Sequence, residues 1–453
     1  MSFRLRHFLA SVANPNMAGY IHSLRIMIRL PEPPCRQQRR TRSDHRIIER
    51  FTSLALLATI PVRVLPCQVS ELPLPTGPAS IGVRSFHWID SSRAEPMTKR
   101  LDDRREVAAF LWYPAAPKQQ SRALYVPDAS ILSSGYRQQY PTIVSLHQHG
   151  FSNAPIGDFK GSSPMLPVLL FSPGLGLSVT SYLTIIEDLV SHGFVVLGVE
   201  ASFEGYPVRL SDGRVATTAE FTFADGVSQS RNRVDARALD LLFALRQLER
   251  LNAGSPASDL RGRLDLTRVG AFGHSRGGLT AGEVCKREPR LRGCLNYDGN
   301  HLNGGVYADT VAGVLSQPFM MMRRFRPEPT DSMLTQWKMS PRDWATNRDT
   351  LEARARRVLR SPVASSYLFT LDGATHFSFS DQPLLWAAAP VPAAERARSQ
   401  EELLKAIREY TRAFFDLSVR GGEDRLSSRA TPAIPYGTTP PFIQLEILRP
   451  SPP

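Results

Sequence analysis

The most informative segment of this 453-residue chain is Val269-Gly270-Ala271-Phe272-Gly273-His274-Ser275-Arg276-Gly277-Gly278. Its apolar beginning is typical of a strand that is buried on both faces. A Gly-x-Ser-x-Gly sequence follows, and residues 279–286 have the spacing of a helix. A serine at the top of such a turn needs strained backbone angles with neighbouring chain very close. We therefore predict that Ser275 is a nucleophile, that Gly273 and Gly277 give it clearance, and that Gly278 lets the helix approach the strand.

The segments on either side repeat an alternation of strand and helix. The apolar runs at residues 168–171 and 194–199 predict two strands, and residues 182–190 between them have helical spacing. This order gives a right-handed parallel unit. Further strands are predicted at residues 81–89, 106–113, 291–297, 318–322 and 367–371, and a capping box formed by Ser399 and Glu402 begins a final helix. We predict an α/β-hydrolase fold, in which helices flank a mostly parallel central sheet.

A serine hydroxyl becomes a good nucleophile only when a base removes its proton. His376 suits this role because it follows an apolar strand and precedes the final helix, which is where this fold presents its base. His274 cannot readily fold back onto the adjacent Ser275, and His301 lies too close to the candidate acid. We therefore predict that His376 is the general base.

The base must be oriented by a carboxylate, and three aspartates are candidates. We prefer Asp298 because it ends the strand that directly follows the helix of the nucleophile. Asp372 is interpreted as a cap of the loop that leads to His376, and Asp381 as an exposed residue. The predicted triad is Ser275, Asp298 and His376.

The oxyanion that forms during attack needs two preorganised N–H donors, each worth about 3 kcal/mol. One donor is expected to be the backbone N–H of Arg276, directly after the nucleophile. The second is expected in the turn Pro173-Gly174-Leu175-Gly176, where glycines let the backbone approach a substrate. We predict Leu175 as that donor.

Charge and cysteine content argue against several classes of protein. The net charge is +13, but residues 1–50 hold ten arginines against three acidic residues, so about half of the excess lies in the N-terminal extension. No interleaving of basic and aromatic residues marks a nucleic-acid surface.

No Cys or His spacing indicates a zinc site, and the chemistry requires no metal or cofactor. We interpret Cys285 and Cys294 as two buried small side chains rather than a disulfide, and Met320–Met322 as a buried strand rather than a membrane-docking patch.

The sequence divides into three parts. Residues 1–67 form a basic extension whose apolar run, Phe51–Val62, resembles the core of a secretion signal. It favours a secreted or periplasmic protein. The basic lead is longer than that of an ordinary signal, which leaves a cytoplasmic protein as the alternative; a true start after about residue 45 would remove this objection. Residues 68–420 are the predicted catalytic domain. Residues 421–453 are Pro-rich, and we expect a tail with little fixed structure.

Three segments resemble the plasma-type platelet-activating-factor acetylhydrolase family: Phe171–Gly176, Asp188–Val196 and Gly273–Gly278. The resemblance covers about residues 80–417. It implies metal-independent hydrolysis of short or oxidised acyl chains from phospholipids, as by a 1-alkyl-2-acetylglycerophosphocholine esterase. The implied partner is a small-molecule or lipid ester, with contact to a lipid surface left open, and the oligomeric state is not indicated.

Two departures keep other substrates open. The family often has His or Asp after the strand where this chain has Glu200-Ala201-Ser202, and Arg276 resembles the turn of chlorophyllase-like esterases. The alternatives are a general carboxylesterase, a polyester or dienelactone-type hydrolase, and a non-catalytic binding protein with the same fold. Reaction with a fluorophosphonate separates the last of these from the enzymes.

Overall fold

The computed structural model describes residues 71–450 except 118, 159–164, 220–225, 257, 300–314, 362, 386–399 and 432–441. The predicted N-terminal extension, its signal-like run and His301 lie outside the described residues. Thr330–Pro341 belongs to a separate compact unit from the rest of the described chain. The strands described below all belong to the larger unit.

The described elements alternate between strands and helices through the middle of the chain. The strands are β1 (Ile81–Ala94), β2 (Arg104–Pro114), β3 (Arg122–Leu124), β4 (His147–Ser152), β5 (Leu166–Ser172), β6 (Val195–Val199), β7 (Glu204–Arg209), β8 (Val215–Thr218), β9 (Leu264–His274), β10 (Leu291–Tyr297), β11 (Phe319–Arg324), β12 (Ser366–Leu371) and β13 (Ile443–Leu448). The helices are α1 (Ser134–Gln139), α2 (Leu183–Ser191), α3 (Gly226–Asn252), α4 (Arg276–Arg287), α5 (Asp331–Gln336), α6 (Pro341–Val358), α7 (Gln382–Leu385) and α8 (Gln400–Ser418).

One eleven-stranded sheet organises the larger unit, in the order β13-β12-β11-β10-β9-β5-β6-β2-β1-β4-β3. Its centre, from β6 through β5 and β9 to β12, is parallel. At the two ends, β2 and β13 pair antiparallel with their inner neighbours. The predicted mostly parallel sheet is therefore present.

The apolar strands are buried because helices cover both faces of the sheet. Every residue of β5 is buried. Its side chains alternate between the faces, so Leu169 and Phe171 join one hydrophobic cluster while Val168 and Leu170 join the other. Helices α2 and α8 contribute to the first cluster, and α3 and α4 to the second. Such double cover explains why these strands are continuous apolar runs.

The strand order reverses at β5, because β6 lies on one side of it and β9 on the other. Loops that leave the carboxyl ends of strands at such a point diverge and leave a crevice. The register places Ser172 of β5 beside Gly273 of β9, and Gly273 beside Asn296 of β10. The turns after these three strands therefore meet at one edge of the sheet.

The C-terminal region differs from the tail that the sequence predicts. Ile443–Leu448 forms β13 and pairs with the whole of β12, from Leu371 opposite Ile443 to Ser366 opposite Leu448. The expectation of little fixed structure is wrong for these residues. They alternate Ile, Leu and Ile with polar residues, which suits an edge strand with one buried face.

The two cysteines of the domain also differ from their prediction. Cys285 and Cys294 form a disulfide, with their Cα atoms 6.3 Å apart. Both side chains are buried, as predicted, but α4 packs on the strand that follows it and brings the sulfur atoms together. The disulfide thus joins the helix that follows Ser275 to the strand that precedes Asp298.

Met320, Met321 and Met322 lie buried in β11, so the interpretation as a buried strand is confirmed. In the described part of the chain, no helix is both long and apolar enough to cross a bilayer.

Candidate active site

Ser275 lies between β9 and α4 with a backbone that few residues adopt. Its φ is 55° and its ψ is −119°. A positive φ is costly for a residue with a side chain, so surrounding contacts must hold it. The N–H of Ser275 donates to the carbonyl oxygen of Tyr297 at 2.8 Å. The turn is therefore fastened to the end of the neighbouring strand, β10.

The glycines around Ser275 are needed for close backbone approach. A Cβ on Gly273 would lie 2.3 Å from the carbonyl oxygen of Gly277, and one on Gly277 would lie 2.0 Å from that of Ser172. A Cβ on Gly278 would lie 2.1 Å from Oδ1 of Asn296. At Gly273 and Gly277 the collision is with backbone, so no larger residue fits, and at Gly278 a larger residue would have to displace the buried side chain of Asn296. The structure thus agrees with the clearance predicted for Gly273 and Gly277 and with the close approach predicted for Gly278.

The structure brings Ser275, His376 and Asp298 into one hydrogen-bonded line. Nε2 of His376 lies 3.0 Å from Oγ of Ser275, and Nδ1 of His376 lies 2.7 Å from Oδ2 of Asp298. Because the carboxylate accepts, Nδ1 carries the ring proton and Nε2 accepts from the serine hydroxyl. These are the contacts that a nucleophile, a base and an orienting acid require.

Asp298 is held as a buried anion. Its side chain is 1% exposed, and guanidinium groups of Arg324 and Arg326 lie 3.4 and 3.5 Å from its two oxygens. Burial alone would raise the pKa of Asp298, but the hydrogen bond from His376 and the two arginines together lower it below its ordinary value. Asp298 therefore stays ionised and fixes the tautomer of His376.

The other aspartates of the comparison lie elsewhere. Oδ1 of Asp372 accepts from the N–H of Gly373 at 2.8 Å, in agreement with its interpretation as a loop cap. Asp381 is fully buried, so the expectation that it is exposed is wrong. It accepts from the N–H of Thr184 at 3.3 Å, at the start of α2, and burial raises its pKa to about 7. A helix N-terminus is a favourable place for a carboxyl group, which explains its position.

The turn 173–176 lies beside Ser275, and its backbone is largely committed to other contacts. The N–H of Gly174 donates to Oη of Tyr182 at 2.9 Å, and the N–H of Gly176 donates to the carbonyl oxygen of Glu204 at 2.9 Å. Because the N–H groups of Gly174 and Gly176 are engaged in these bonds, they do not serve as donors to an oxyanion. On the other side of the site, Arg276 begins α4, so its N–H has no carbonyl one turn earlier in the helix.

A buried ion cluster that the sequence analysis missed connects the two sides of this site. Glu204 accepts from Arg237 at 2.7 and 2.9 Å and from Arg276 at 2.6 Å. Arg237 also donates to the carbonyl oxygen of Pro173 at 2.6 Å. Burial would raise the pKa of Glu204, but the two arginines outweigh it and lower the pKa to about 2. One signal was available, since Arg237 lies three and four positions from Val234 and Leu241, which are buried on one face of α3.

No group of three His, Cys, Asp or Glu side chains suited to hold a metal ion occurs among the described residues. The buried titratable groups near Ser275 are instead paired with one another. The arrangement can activate a hydroxyl group and stabilise an anion beside it.

A family model described as platelet-activating factor acetylhydrolase, isoform II, matches residues 71–391. That match spans the sheet from β1 to β12 and includes Ser275, Asp298 and His376. The chain belongs to this family. The resemblance seen in the sequence is thereby confirmed.

Curated relatives of the family are similar at low identity. A probable 1-alkyl-2-acetylglycerophosphocholine esterase from Arthroderma benhamiae is 26% identical over 281 residues, which cover 59% of this chain and 65% of that protein. Platelet-activating factor acetylhydrolases from Canis lupus familiaris and Gallus gallus are 26% and 24% identical, covering 60% and 48% of this chain. The aligned parts span 62% and 52% of those two proteins, so the chain matches between half and two thirds of its relatives' length.

A solved structure titled ferulic acid esterase from Streptomyces cinnamoneus has the same architecture. Its TM-score is 0.63 at 23% identity, and the match covers 83% of this chain and 99% of that one. With its large mostly parallel sheet between two layers of helices, the chain has the predicted α/β-hydrolase fold.

Proposed function

We propose that the chain is a serine esterase that hydrolyses short or oxidised acyl esters through Ser275, His376 and Asp298. The observation that carries this proposal is the 3.0 Å contact between Oγ of Ser275 and Nε2 of His376, on a serine with positive φ. Membership of the platelet-activating factor acetylhydrolase family supports ester chemistry.

The reaction follows from this geometry in two halves. Oγ of Ser275 attacks the ester carbonyl while Nε2 of His376 takes the hydroxyl proton, and the resulting oxyanion accepts from the N–H groups of Arg276 and Leu175. Asp298 stabilises the imidazolium that forms. The leaving alcohol takes the proton from His376, and an acyl group remains on Ser275.

Water completes the cycle. His376 removes a proton from a water molecule, which attacks the acyl carbonyl and forms a second oxyanion in the same position. When this intermediate collapses, Oγ of Ser275 recovers the proton and the carboxylic acid leaves. His376 carries the proton in both halves of the reaction.

Within this activity we propose phospholipid esters with short or oxidised acyl chains as substrates, because the names of two curated relatives specify hydrolysis of an acetyl ester, one of them that of a glycerophosphocholine. A substrate panel tests it: a short-acyl phospholipid, its long-acyl counterpart and a simple aryl ester, each given to the wild type and to Ser275→Ala. We expect kcat/KM to be highest for the short-acyl phospholipid and Ser275→Ala to lose turnover of all three. A higher kcat/KM for the aryl ester would instead identify a general carboxylesterase. Presenting the phospholipid dispersed or in vesicles then tests contact with a lipid surface.

We also propose that the protein acts in an oxidising compartment outside the cytoplasm. The Cys285–Cys294 disulfide supports this location, because such bonds persist mainly in secreted and periplasmic proteins. Mass measurement of protein purified from its native source under alkylating conditions tests it. Two alkylated cysteines at these positions would contradict the proposed location.

A further inference from the structure

His274, the residue before the nucleophile, uses both ring nitrogens inside the protein. Its side chain is 1% exposed. Nε2 lies 2.8 Å from the carbonyl oxygen of His376, and Nδ1 lies 2.7 Å from Oη of Tyr182. A carbonyl oxygen can only accept, so Nε2 carries the proton and Nδ1 accepts from the tyrosine hydroxyl. The two contacts therefore fix one tautomer of His274.

Tyr182 extends this line to the oxyanion turn. It is fully buried, and its Oη accepts from the N–H of Gly174 at 2.9 Å while it donates to His274. The donors thus all point in one direction: from Gly174 to Tyr182, from Tyr182 to His274, and from His274 to the backbone of His376. We call these four residues the Gly174–His376 relay.

The relay is tightly packed, so a shift at one end is passed to the other. The ring centroids of His274 and His376 lie 4.6 Å apart. The ring of Phe379 is stacked on that of His274, with 6.2 Å between the two centroids. A Cβ on Gly174 would lie 2.9 Å from Nδ1 of His274. Well-packed interiors of this kind leave no room for a side chain to move without displacing its neighbours.

We propose that His274 and Tyr182 are positioning residues that hold the backbone of His376 and the oxyanion turn in fixed relation to Ser275. This inference rests on the proposed esterase function and goes beyond it, because it assigns a role to two side chains whose hydrogen bonds join the oxyanion turn to the backbone of His376. Their role is to keep the base and the oxyanion turn correctly placed at the same time, which a rigid buried connection achieves.

The electrostatic surroundings agree with this role. Burial lowers the pKa of His274 well below its ordinary value, and the nearby His376 lowers it further, while Asp298 opposes the shift. These two residues and Tyr182 are the titratable groups that face it. His274 therefore stays neutral and keeps both hydrogen bonds while His376 gains and loses its proton.

Steady-state kinetics on three variants test the proposal. His274→Phe removes both bonds, Tyr182→Phe removes one oxygen atom, and His274→Gln retains one acceptor and one donor on its amide. We expect the first two to lower kcat by about 10- to 100-fold, because small misplacements of catalytic groups cost that much. KM should change less than about twofold, since substrate binding does not involve the relay. His274→Gln should regain most of the lost kcat.

Matched controls separate positioning from general stability. His149→Phe removes a buried histidine whose Nε2 lies 3.1 Å from the carbonyl oxygen of Leu72. Tyr113→Phe removes a buried hydroxyl group that donates to the carbonyl oxygen of Ala154 at 2.7 Å. Both residues lie outside the site, and we expect their variants to lower thermal stability but keep the wild-type kcat.

A double variant shows whether the two residues act as one unit. If they do, combining His274→Phe with Tyr182→Phe costs little more than the larger single change.

The outcomes are distinct. Folded His274→Phe and Tyr182→Phe with kcat within twofold of an active wild type would overturn the relay and leave the esterase standing. Should His274→Phe fail to fold, Tyr182→Phe decides alone. A folded wild type that hydrolyses no ester refutes the esterase and this positioning role together.

Discussion

Replacing Glu204 by Gln removes the charge at the centre of the buried ion cluster while it keeps the size of the side chain. Glu204 is 4% exposed and accepts from Arg237 and Arg276. The amide cannot neutralise the two guanidinium groups, which stay buried without their counter-ion. Removing one partner of a buried pair is strongly destabilising for this reason.

The magnitude follows from the pKa of Glu204, which falls from an ordinary 4.5 to about 2 in the folded protein. At 1.36 kcal/mol per pKa unit, this difference contributes about 3 kcal/mol to the free energy of unfolding at neutral pH. Because the pKa is lowered, the contribution is complete above pH 4.5 and is lost as the pH falls towards 2. We expect about 1 kcal/mol to remain at pH 3.

Urea denaturation of the wild type and Glu204→Gln between pH 3 and pH 8 measures this contribution. We expect the variant to be less stable by about 3 kcal/mol above pH 5, and the difference to narrow below that pH. Glu423→Gln is a suitable control, because Glu423 is 86% exposed and 3.9 Å from Arg425, so its removal should have little effect at any pH. A difference that stays constant from pH 3 to pH 8 would refute the reasoning.

Three further changes have expected outcomes. Asp298→Asn should lower kcat by about 10⁴-fold without unfolding the protein, since the amide favours the wrong tautomer of His376; a loss below tenfold in steady-state assays would contradict its role. The double variant Cys285→Ala with Cys294→Ala should lose about 3 kcal/mol of unfolding free energy, and dithiothreitol should destabilise the wild type but not the variant. Burial raises the pKa of Glu187 from 4.5 to about 8. The contribution of this group to the free energy of unfolding is therefore complete below pH 4.5, and it is lost as the pH rises through 8. Denaturation curves should therefore show the stability of Glu187→Gln relative to the wild type rising by about 3 kcal/mol between pH 4.5 and pH 7, and a relative stability that stays constant or falls over this range would be inconsistent.

The central strands and the turn at Ser275 could be predicted because their signals are local. Four or more consecutive apolar residues between turn residues identify a doubly covered strand, and glycines at fixed offsets identify the turn. Asp298 could be selected because it ends the strand next in order, and the parallel sheet places that strand beside β9. The structure brings together the three residues that the sequence nominates, and their catalytic role remains a proposal.

The features that sequence reasoning missed depend on contacts between distant segments. Glu204 meets Arg237 and Arg276 across 33 and 72 positions, and no spacing rule links them. Asp381 is buried because it meets the start of α2, which lies almost two hundred positions earlier. Strand β13 pairs with β12, and no local pattern in the sequence indicates that partner.

The disulfide shows the same limit over a short distance. Nine positions between Cys285 and Cys294 do not fix the distance between their Cα atoms. That distance is fixed by the packing of α4 on β10, which arises only in the assembled sheet.

The proposed esterase function depends most directly on the reactivity of Ser275. Treating the folded wild type with a fluorophosphonate and mapping the adduct by peptide mass spectrometry measures it, with His376→Ala as the matched variant. We expect one adduct per chain at Ser275, with labelling slowed by at least about 10³-fold in the variant, because the hydroxyl then lacks its base. A folded wild type without an adduct at Ser275, or a His376→Ala variant labelled as fast as the wild type, would contradict the proposed function.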